Sequence, residues 1–335
     1  MRGTVLYGPG DVRFEDPRIV EPTDAVIRMA GTCVCGSDLW PYRGLQPMDG
    51  PTAMGHEYCG FVEEVGSAVR SVKKGQFVIG SFFFSDNTCA HCRNGYQPSC
   101  VNSENVLGAQ APLLRVRLAD GTLVATPELP PAEMIPNLLA ISDVLGTGWF
   151  AADAANVKPG STVAVVGDGA VGLLGVLSAK LMGAERIIAM SRHKDRQELA
   201  RFYGATDIVA ERGDEGVARI KELTKGLGAH SVIEAVGTQQ AFMQAVHATR
   251  PSGHLGYVGV NYEVQIPGPE LFFAGIHLLG GPAPVRRFLP DLIRRIWDRK
   301  IDPGKVFDRT LPLEQAAEGY KAMDERRAIK VLLQP

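Results

Sequence analysis

The sequence carries no marked excess of charge of either sign and no long hydrophobic run. Its 35 Lys and Arg residues nearly balance 37 Asp and Glu residues, for a formal net charge of −2. This balance gives no reason to expect nucleic acid or an anionic membrane surface as a partner. The most apolar segment, FVIGSFFF at residues 77–84, is far too short to cross a bilayer. The opening MRGTVLYGPG lacks the apolar core of a signal peptide, so we expect a cytoplasmic protein.

Cysteine is absent after residue 100. In a large chain without a secretion signal, metal ligation or simple burial is a better interpretation of such cysteines than disulfide bonds. The length of 335 residues favours two domains, and the 45% hydrophobic content is enough for a sizeable core. The six cysteines are Cys33, Cys35, Cys59, Cys89, Cys92 and Cys100.

The pattern of predicted secondary structure changes near residue 160. Before it, short β-type runs such as VLYGPGDVRFE, YCGFVEEVG and QFVIGSFFF alternate with Gly and Pro, which indicates an irregular, mostly β region. After it, short apolar strands alternate with helices, starting with STVAVVGDG, AVGLLGVLSAKLMGA and ERIIAMS. This alternation predicts an α/β fold with a doubly wound parallel sheet. The tail DERRAIKVLLQP ends in a predicted strand that breaks the alternation, so we expect it to return to the first domain.

A glycine-rich loop lies between the first strand and helix of the alternating region. In such a loop the first glycine makes the turn, the second lets a pyrophosphate approach, and the third packs helix on strand. The helix N-terminus then faces the phosphates. A plain tight turn is the alternative, but the strand–helix–strand context favours dinucleotide binding. The expected cofactor-binding residues are Gly167, Gly169, Ala170, Val171 and Gly172.

The next predicted strand is not followed by the acidic residue that would hold the ribose 2′-hydroxyl of NAD(H). It is followed by Ser191 and Arg192. A hydroxyl and a guanidinium would bind a 2′-phosphate, whereas an acid would repel it. We therefore favour NADP(H) over NAD(H), although a solvated basic loop would explain the same residues.

Two short segments in the first region combine metal-ligating side chains. CVCGSDLW contains Cys35, and GHEYCG places His56 and Glu57 just over twenty residues further on. A thiol and an imidazole, each beside a glycine that lets the backbone bend, indicate half of a metal site.

These features together resemble the zinc-dependent medium-chain alcohol dehydrogenases over nearly the whole chain. The matching motifs are CGSD, GHEYCGFVEEVG, CAHCRNGYQPSC, SDVLGTGWFAA and VGDGAVG with FYGATDIV downstream. The resemblance implies a GroES-like zinc-binding domain over residues 1–145 and 285–335, and a Rossmann domain over residues 146–284. It also implies an active site between the domains and a homodimer or homotetramer.

The resemblance implies a catalytic zinc with three protein ligands. Cys35 and His56 match two of them, and Asp143 stands where other members have Cys or Asp. A harder carboxylate would leave the zinc a stronger Lewis acid. The alternative for Asp143 is a helix N-cap. Glu57 resembles the family's second-sphere carboxylate, and Asp38 resembles the residue that orients the ligating histidine.

Other site roles also follow from the resemblance. Ser37 would take the alcohol proton, while Trp40 replaces the family's relay histidine and would be a pocket wall or a core residue. Thr147 would lie near the nicotinamide or serve the turn. Tyr203 would contact the 2′-phosphate.

The second group of cysteines matches the family's structural zinc lobe. Cys89, Cys92 and Cys100 fit three of its four positions, and Asp86 stands at the first. A carboxylate can join three thiolates around zinc, and reduced thiols without metal are the alternative. Cys33 and Cys59 match no ligand position, so we expect buried thiols.

The expected activity is zinc-dependent hydride transfer between NADP(H) and a small alcohol or carbonyl substrate. The alternatives are a polyol, amino-alcohol or formaldehyde dehydrogenase of the same family, or a non-catalytic NADP-binding protein. The ligand set argues against a zinc-free quinone or enoyl reductase. We expect pocket walls from around Trp40, Trp149 and residues 262–273.

Overall fold

A computed structural model describes residues 20–46, 52–260 and 263–335 in full, and residues 3–8 and 11–15 by their backbone. The strands are β1 Gly3–Gly8, β2 Asp11–Glu15, β3 Ala25–Cys33, β4 Tyr58–Val65, β5 Phe77–Gly80, β6 Phe83–Phe84, β7 Glu104–Asn105, β8 Leu113–Val116, β9 Leu123–Ala125, β10 Thr162–Val166, β11 Arg186–Met190, β12 Asp207–Val209, β13 Ala229–Glu234, β14 Thr249–Tyr257, β15 His277–Gly280, β16 Arg309–Pro312 and β17 Val331–Gln334. The helices are α1 Leu39–Tyr42, α2 Ala90–Arg93, α3 Ala119–Thr122, α4 Ile135–Ala140, α5 Val144–Ala154, α6 Ala170–Leu181, α7 Lys194–Tyr203, α8 Gly213–Leu223, α9 Gln239–Ala248, α10 Gly268–Ala274, α11 Val285–Trp297 and α12 Ala316–Asp324.

The alternating region forms a six-stranded parallel sheet, which confirms the predicted α/β fold. Its strand order is β12-β11-β10-β13-β14-β15. Residues 163–166 of β10 are buried on both faces because helices cover the sheet on each side. The strand order reverses between β10 and β13, and ligands of such sheets bind at the carboxyl ends of the strands beside that reversal.

The N-terminal region contributes to a seven-stranded sheet with the order β16-β17-β3-β4-β5-β9, in which β8 also pairs with β3. The C-terminal strand β17 runs antiparallel to β3, with Leu332 opposite Cys33. The predicted return of the tail to the first domain is therefore confirmed. This pairing brings the end of the chain beside the CVCGSD segment.

One strand prediction was wrong in its extent. The run QFVIGSFFF forms two strands, because β5 ends at Gly80 and β6 begins at Phe83. Between these two strands the backbone does not continue the hydrogen-bonded pairing of the sheet. The Phe83 amide donates instead to the Ser81 hydroxyl (3.3 Å). The predicted hairpin VLYGPGDVRFE is present as antiparallel β1 and β2. Pro9 and Gly10 of its predicted turn lie outside the described residues.

Helix α5 crosses the predicted domain boundary at residue 145 and is buried along most of its length. A Cβ at Gly148 would lie 2.7 Å from the Gly175 amide nitrogen, so α5 and α6 pack with their backbones close together. The N-cap of α5 is Asp143. The start of the helix therefore places this carboxylate beside Cys35, which follows β3 (Cys35 Sγ to Asp143 Oδ2, 3.8 Å). In the described ranges, no helix has the length and apolar character needed to span a membrane.

Candidate active site

Four potential metal-ligating side chains converge from three separate parts of the chain. Cys35 follows β3, His56 and Glu57 precede β4, and Asp143 precedes α5. One donor atom from each lies within 4.8 Å of those of the other three. Such a convergence of thiolate, imidazole and carboxylate groups suits a divalent transition metal.

The distances among three of these groups fit a zinc ion. His56 Nε2 lies 3.3 Å from Asp143 Oδ2, and Cys35 Sγ lies 3.8 Å from the same oxygen. Tetrahedral zinc with its usual bond lengths separates its donor atoms by roughly 3.3–3.8 Å. These two separations fit a zinc ion held by Cys35, His56 and Asp143, whose donor atoms all lie within 4.8 Å of one another.

Neighbouring side chains orient two of these groups. Asp38 Oδ1 lies 3.4 Å from His56 Nδ1, which leaves Nε2 facing Asp143. The Thr147 hydroxyl donates to Asp143 Oδ1 at 2.5 Å. Asp143 makes no side-chain capping hydrogen bond to α5, although it occupies the N-cap position. The Asp143 side chain therefore does not cap the helix, in contrast to the alternative interpretation.

A buried lysine that the sequence analysis missed holds Glu57. Lys330 Nζ lies 2.6 Å from Glu57 Oε1 and 3.2 Å from the Val34 carbonyl oxygen, and both charged side chains are at most 1% exposed. The second Glu57 oxygen, Oε2, is buried without a hydrogen-bond partner. An unpartnered carboxylate oxygen beside the three ligating groups fits a second-sphere role toward a cation.

The electrostatics of the cluster follow from its burial. Burial and the nearby Glu57 raise the pKa of the Cys35 thiol. Burial by itself would lower the pKa of His56, but Cys35 and Asp143 raise it well above its usual value. These groups therefore hold protons where a metal would bind, and metal binding should release them.

Ser37, Trp40 and Trp149, which were predicted to act in or line the pocket, are part-buried. Ser37 is part-buried, and its hydroxyl makes no hydrogen bond within the described ranges. The Phe82 ring meets the His56 ring edge-on, with centroids 6.1 Å apart. Trp40 is part-buried, while Trp149 packs against Phe288 of α11. Phe82 is thus a pocket-wall candidate that the sequence analysis missed, and Tyr262 lies outside the described residues.

The glycine loop has the shape that a dinucleotide needs. Gly167 has φ +124°, and a Cβ at Gly172 would lie 2.0 Å from the Gly167 carbonyl oxygen. A Cβ at Gly169 would meet nothing within 4 Å, so the space beside it is open. Ala170 and Val171 begin α6, whose N-terminus faces this space. A pyrophosphate could approach the free amides there.

The predicted 2′-phosphate residues do not lie together. Ser191 and Arg192 follow β11 at the carboxyl edge of the sheet. The prediction for Tyr203 is wrong, because its side chain is 1% exposed and its hydroxyl donates to the Pro303 carbonyl oxygen (2.9 Å). Helix α7 carries the chain back across the sheet, and ten helical residues span about 15 Å. Tyr203 therefore packs in the core at the far end of α7.

Two family models match separate parts of the chain. Residues 21–136 match the alcohol dehydrogenase GroES-like domain, and residues 170–296 match the zinc-binding dehydrogenase domain. A probable zinc-binding alcohol dehydrogenase of Mycobacterium tuberculosis is 37% identical over 331 residues, covering 96% of this chain and 84% of that protein. The chain belongs to the zinc-dependent medium-chain alcohol dehydrogenase family.

Two further relatives of this family cover most of the chain. An NADP-dependent isopropanol dehydrogenase of Clostridium beijerinckii is 33% identical over 313 residues, covering 88% of this chain and 87% of that protein. The solved alcohol dehydrogenase of Thermus sp. ATN1 has a TM-score of 0.86 and 31% identity, covering 100% of this chain and 99% of that one.

A second group of donor atoms lies in the lobe where the alcohol dehydrogenase resemblance implies a structural zinc. Donor atoms of Asp86, Cys89, Cys92 and Cys100 lie within 4.8 Å of one another. The backbone amides of Cys92 and Val101 lower the pKa of Cys89 to about 7, which favours its thiolate. This donor set fits a tetrahedral zinc.

The carboxylate of that lobe already accepts hydrogen bonds. Asp86 Oδ1 accepts from the amides of Thr88 (2.7 Å) and Cys89 (2.9 Å), and Oδ2 accepts from the Asn102 amide group (2.8 Å). Burial alone would raise the pKa of Asp86, but these hydrogen bonds lower it. Each oxygen has two lone pairs, so Oδ2 keeps one for a metal. Cys33 and Cys59, the remaining cysteines, are buried as expected.

Proposed function

We propose that this member of the zinc-type alcohol dehydrogenases transfers a hydride between NADP(H) and a small alcohol or its carbonyl product. The observation that carries the proposal is the convergence of Cys35, His56 and Asp143 at zinc-like separations. The glycine loop at the carboxyl edge of the parallel sheet supports the cofactor part of the proposal.

Each residue of the site has a proposed task. Cys35, His56 and Asp143 would hold the zinc, which supplies Lewis acidity that lowers the pKa of an alcohol or polarises a carbonyl. The Asp38 carboxylate would keep the His56 ring oriented through Nδ1. Ser37 would accept the hydroxyl proton of the alcohol. Glu57, held by Lys330, would supply a carboxylate oxygen close to the metal when ligands exchange.

The proposed preference for NADP(H) rests on the residues after β11. Ser191 replaces the acidic residue that would hold the 2′-hydroxyl of NAD(H), and Arg192 is exposed beside it. The Arg192 guanidinium favours a phosphate over a hydroxyl group, whereas Ser191 is 1% exposed and its hydroxyl donates to Asp168. The C. beijerinckii relative is named as NADP-dependent, which is consistent with this proposal.

A panel of primary alcohols, secondary alcohols, polyols and aldehydes, assayed with both cofactors, tests the proposed function. We expect zinc-dependent turnover of at least one simple alcohol or carbonyl, with kcat/KM at least about tenfold higher for the NADP(H) form. Turnover confined to NAD(H) would refute the cofactor preference. A zinc-loaded protein that binds NADP(H) but oxidises and reduces nothing in the panel would refute the activity.

We further propose a zinc-binding domain over residues 1–145 and 285–335 and a cofactor domain over residues 146–284. The membership of the two sheets supports this division, because β16 and β17 join the N-terminal strands. The nicotinamide would reach the zinc through the cleft between them.

We also propose that the protein is a homodimer or homotetramer assembled through the cofactor domain. Strand β15 ends the six-stranded sheet, and the neighbouring Phe272 and Phe273 are 79% and 85% exposed. An exposed sheet edge beside large apolar side chains favours association. Light scattering after size exclusion should give at least twice the mass of one chain, and Phe272→Glu with Phe273→Glu should reduce it. A monomer at micromolar concentration would contradict the proposal.

A further inference from the structure

A second arginine lies at the same edge of the sheet as Ser191 and Arg192. Arg212 follows β12, Ser191 follows β11, and Asp168 follows β10. These three strands are neighbours in the sheet and run parallel. Their carboxyl ends therefore meet at one edge, where the adenosine ribose of a dinucleotide lies.

Asp168 is the carboxylate at the centre of this group. Its Oδ2 accepts a hydrogen bond from the Ser191 hydroxyl (2.7 Å), and Arg212 Nη2 lies 3.7 Å from the same oxygen. Its Oδ1 lies 3.4 Å from Arg196 Nη1, which also donates to the Asp168 carbonyl oxygen (3.2 Å). Arg192 is exposed and makes no ion pair within the described ranges. Two guanidinium groups, those of Arg196 and Arg212, therefore share one carboxylate.

The Arg212 guanidinium is partly buried, but few of its hydrogen-bond donors have an acceptor. Its side chain is only 28% exposed. Its contacts are the long ion pair to Asp168 and one hydrogen bond of 3.4 Å to the Met190 carbonyl oxygen. A guanidinium has five N–H donors, so most of its donors are left for another acceptor.

The surroundings of Arg212 have an excess of positive charge. Burial lowers the pKa of Arg212. The Asp168 carboxylate raises this pKa, whereas the positive charges of Arg192 and Arg326 lower it further. Arg326 belongs to the loop that precedes the C-terminal strand. Partly buried cations that repel one another are stabilised when a multiply charged anion binds between them.

We propose that Arg212 is a specificity-determining residue that binds the 2′-phosphate of NADP(H), with Asp168 as its counter-ion when the cofactor is absent. The inference rests on the proposed NADP(H) preference, which it extends from β11 to the next strand. A phosphomonoester supplies three oxygens and close to two negative charges, and a guanidinium can bind two of those oxygens at once. Arg192, which is exposed, would bind the phosphate from the other side, while the Ser191 hydroxyl, whose residue is 1% exposed, would hold Asp168.

Calorimetric titration with 2′,5′-ADP and 5′-AMP tests this inference, because the two probes differ only by the 2′-phosphate. Arg212→Ala should weaken 2′,5′-ADP binding by about 10- to 100-fold and leave 5′-AMP binding unchanged. Arg212→Lys should recover part of the loss, since it keeps the charge but not the bidentate geometry. Arg219→Ala, a change of an exposed arginine on α8, is the matched control and should change neither affinity.

Asp168→Asn separates an electrostatic role from a structural one. Asparagine keeps an oxygen that can accept the Ser191 hydroxyl but removes the competing charge. We expect 2′,5′-ADP to bind about two- to fivefold more tightly to this variant, opposite in sign to Arg212→Ala. Equal weakening of both probes in Arg212→Ala and Asp168→Asn would show a structural role and overturn the inference.

The wild-type titration distinguishes the two proposals. If the wild type prefers 2′,5′-ADP and Arg212→Ala keeps that preference in full, the inference about Arg212 is overturned and the NADP(H) preference stands. If the wild type binds both probes equally, the NADP(H) preference fails and the inference fails with it.

Discussion

Replacing Asp143 with alanine should lower alcohol turnover by more than about 100-fold and remove one zinc per chain. Outer-shell partners of metal ligands typically contribute about 10- to 100-fold, and a direct ligand should contribute more. The carboxylate lies 3.3 Å from His56 Nε2 and 3.8 Å from Cys35 Sγ, where zinc would bridge the three groups. Metal analysis should give two zinc ions in the wild type and one in Asp143→Ala, because the Asp86 lobe is separate.

Two companion variants make the Asp143 result specific. Asp143→Cys should keep both zinc ions and much of the activity, since Cys₂His is an established set for catalytic zinc. Asp153→Ala changes an exposed carboxylate on the same helix and should leave both zinc content and turnover at wild-type levels. Normal metal content and full turnover in Asp143→Ala would contradict the ligand assignment. A single zinc in the wild type would count against the Asp86 lobe.

Replacing Lys330 with methionine should reduce the free energy of unfolding by about 3–5 kcal/mol. This is the usual cost of leaving one member of a buried ion pair without its partner. Lys330 Nζ lies 2.6 Å from Glu57 Oε1, and neither side chain is more than 1% exposed. In the variant, the Glu57 carboxylate would remain buried without its cation. Chemical denaturation at pH 7 measures the loss, and Lys321→Met on the exposed face of α12 is the matched control.

The pH dependence of the Lys330→Met deficit has a defined sign. Burial raises the pKa of Glu57, and Lys330 is the main group that lowers it. Without Lys330 the folded-state pKa rises further above the unfolded value, so the carboxylate destabilises the folded protein at pH values above its unfolded pKa. The deficit relative to wild type should therefore shrink as the pH falls through the raised pKa of Glu57. Glu57→Gln combined with Lys330→Met should recover most of the loss at pH 7, and a deficit that grows on acidification would reject this account.

The patterns that are local in sequence were predicted well. The glycine loop lies between a strand and a helix that both form as predicted, since Gly167 and Gly172 are needed for one short turn. Strand and helix alternation gave the parallel sheet because its strands are buried on both faces. The error at Tyr203 arose because the resemblance matched its position in FYGATD to a 2′-phosphate contact, and this chain buries that side chain. A ten-residue helix moved that side chain to the other edge of the sheet.

The sequence by itself determined which chemical groups the protein has for its proposed site: a thiol, an imidazole and carboxylates at the proposed zinc-ligand positions, and a glycine loop that would bind a dinucleotide. Only the tertiary structure decided which of its charges meet. Lys330 reaches Glu57 across 273 residues of sequence, and Arg212 meets Asp168 and Ser191 across parallel strands. The physical reason is that electrostatic interactions depend on distance and burial, and neither is encoded by the spacing of residues along the chain.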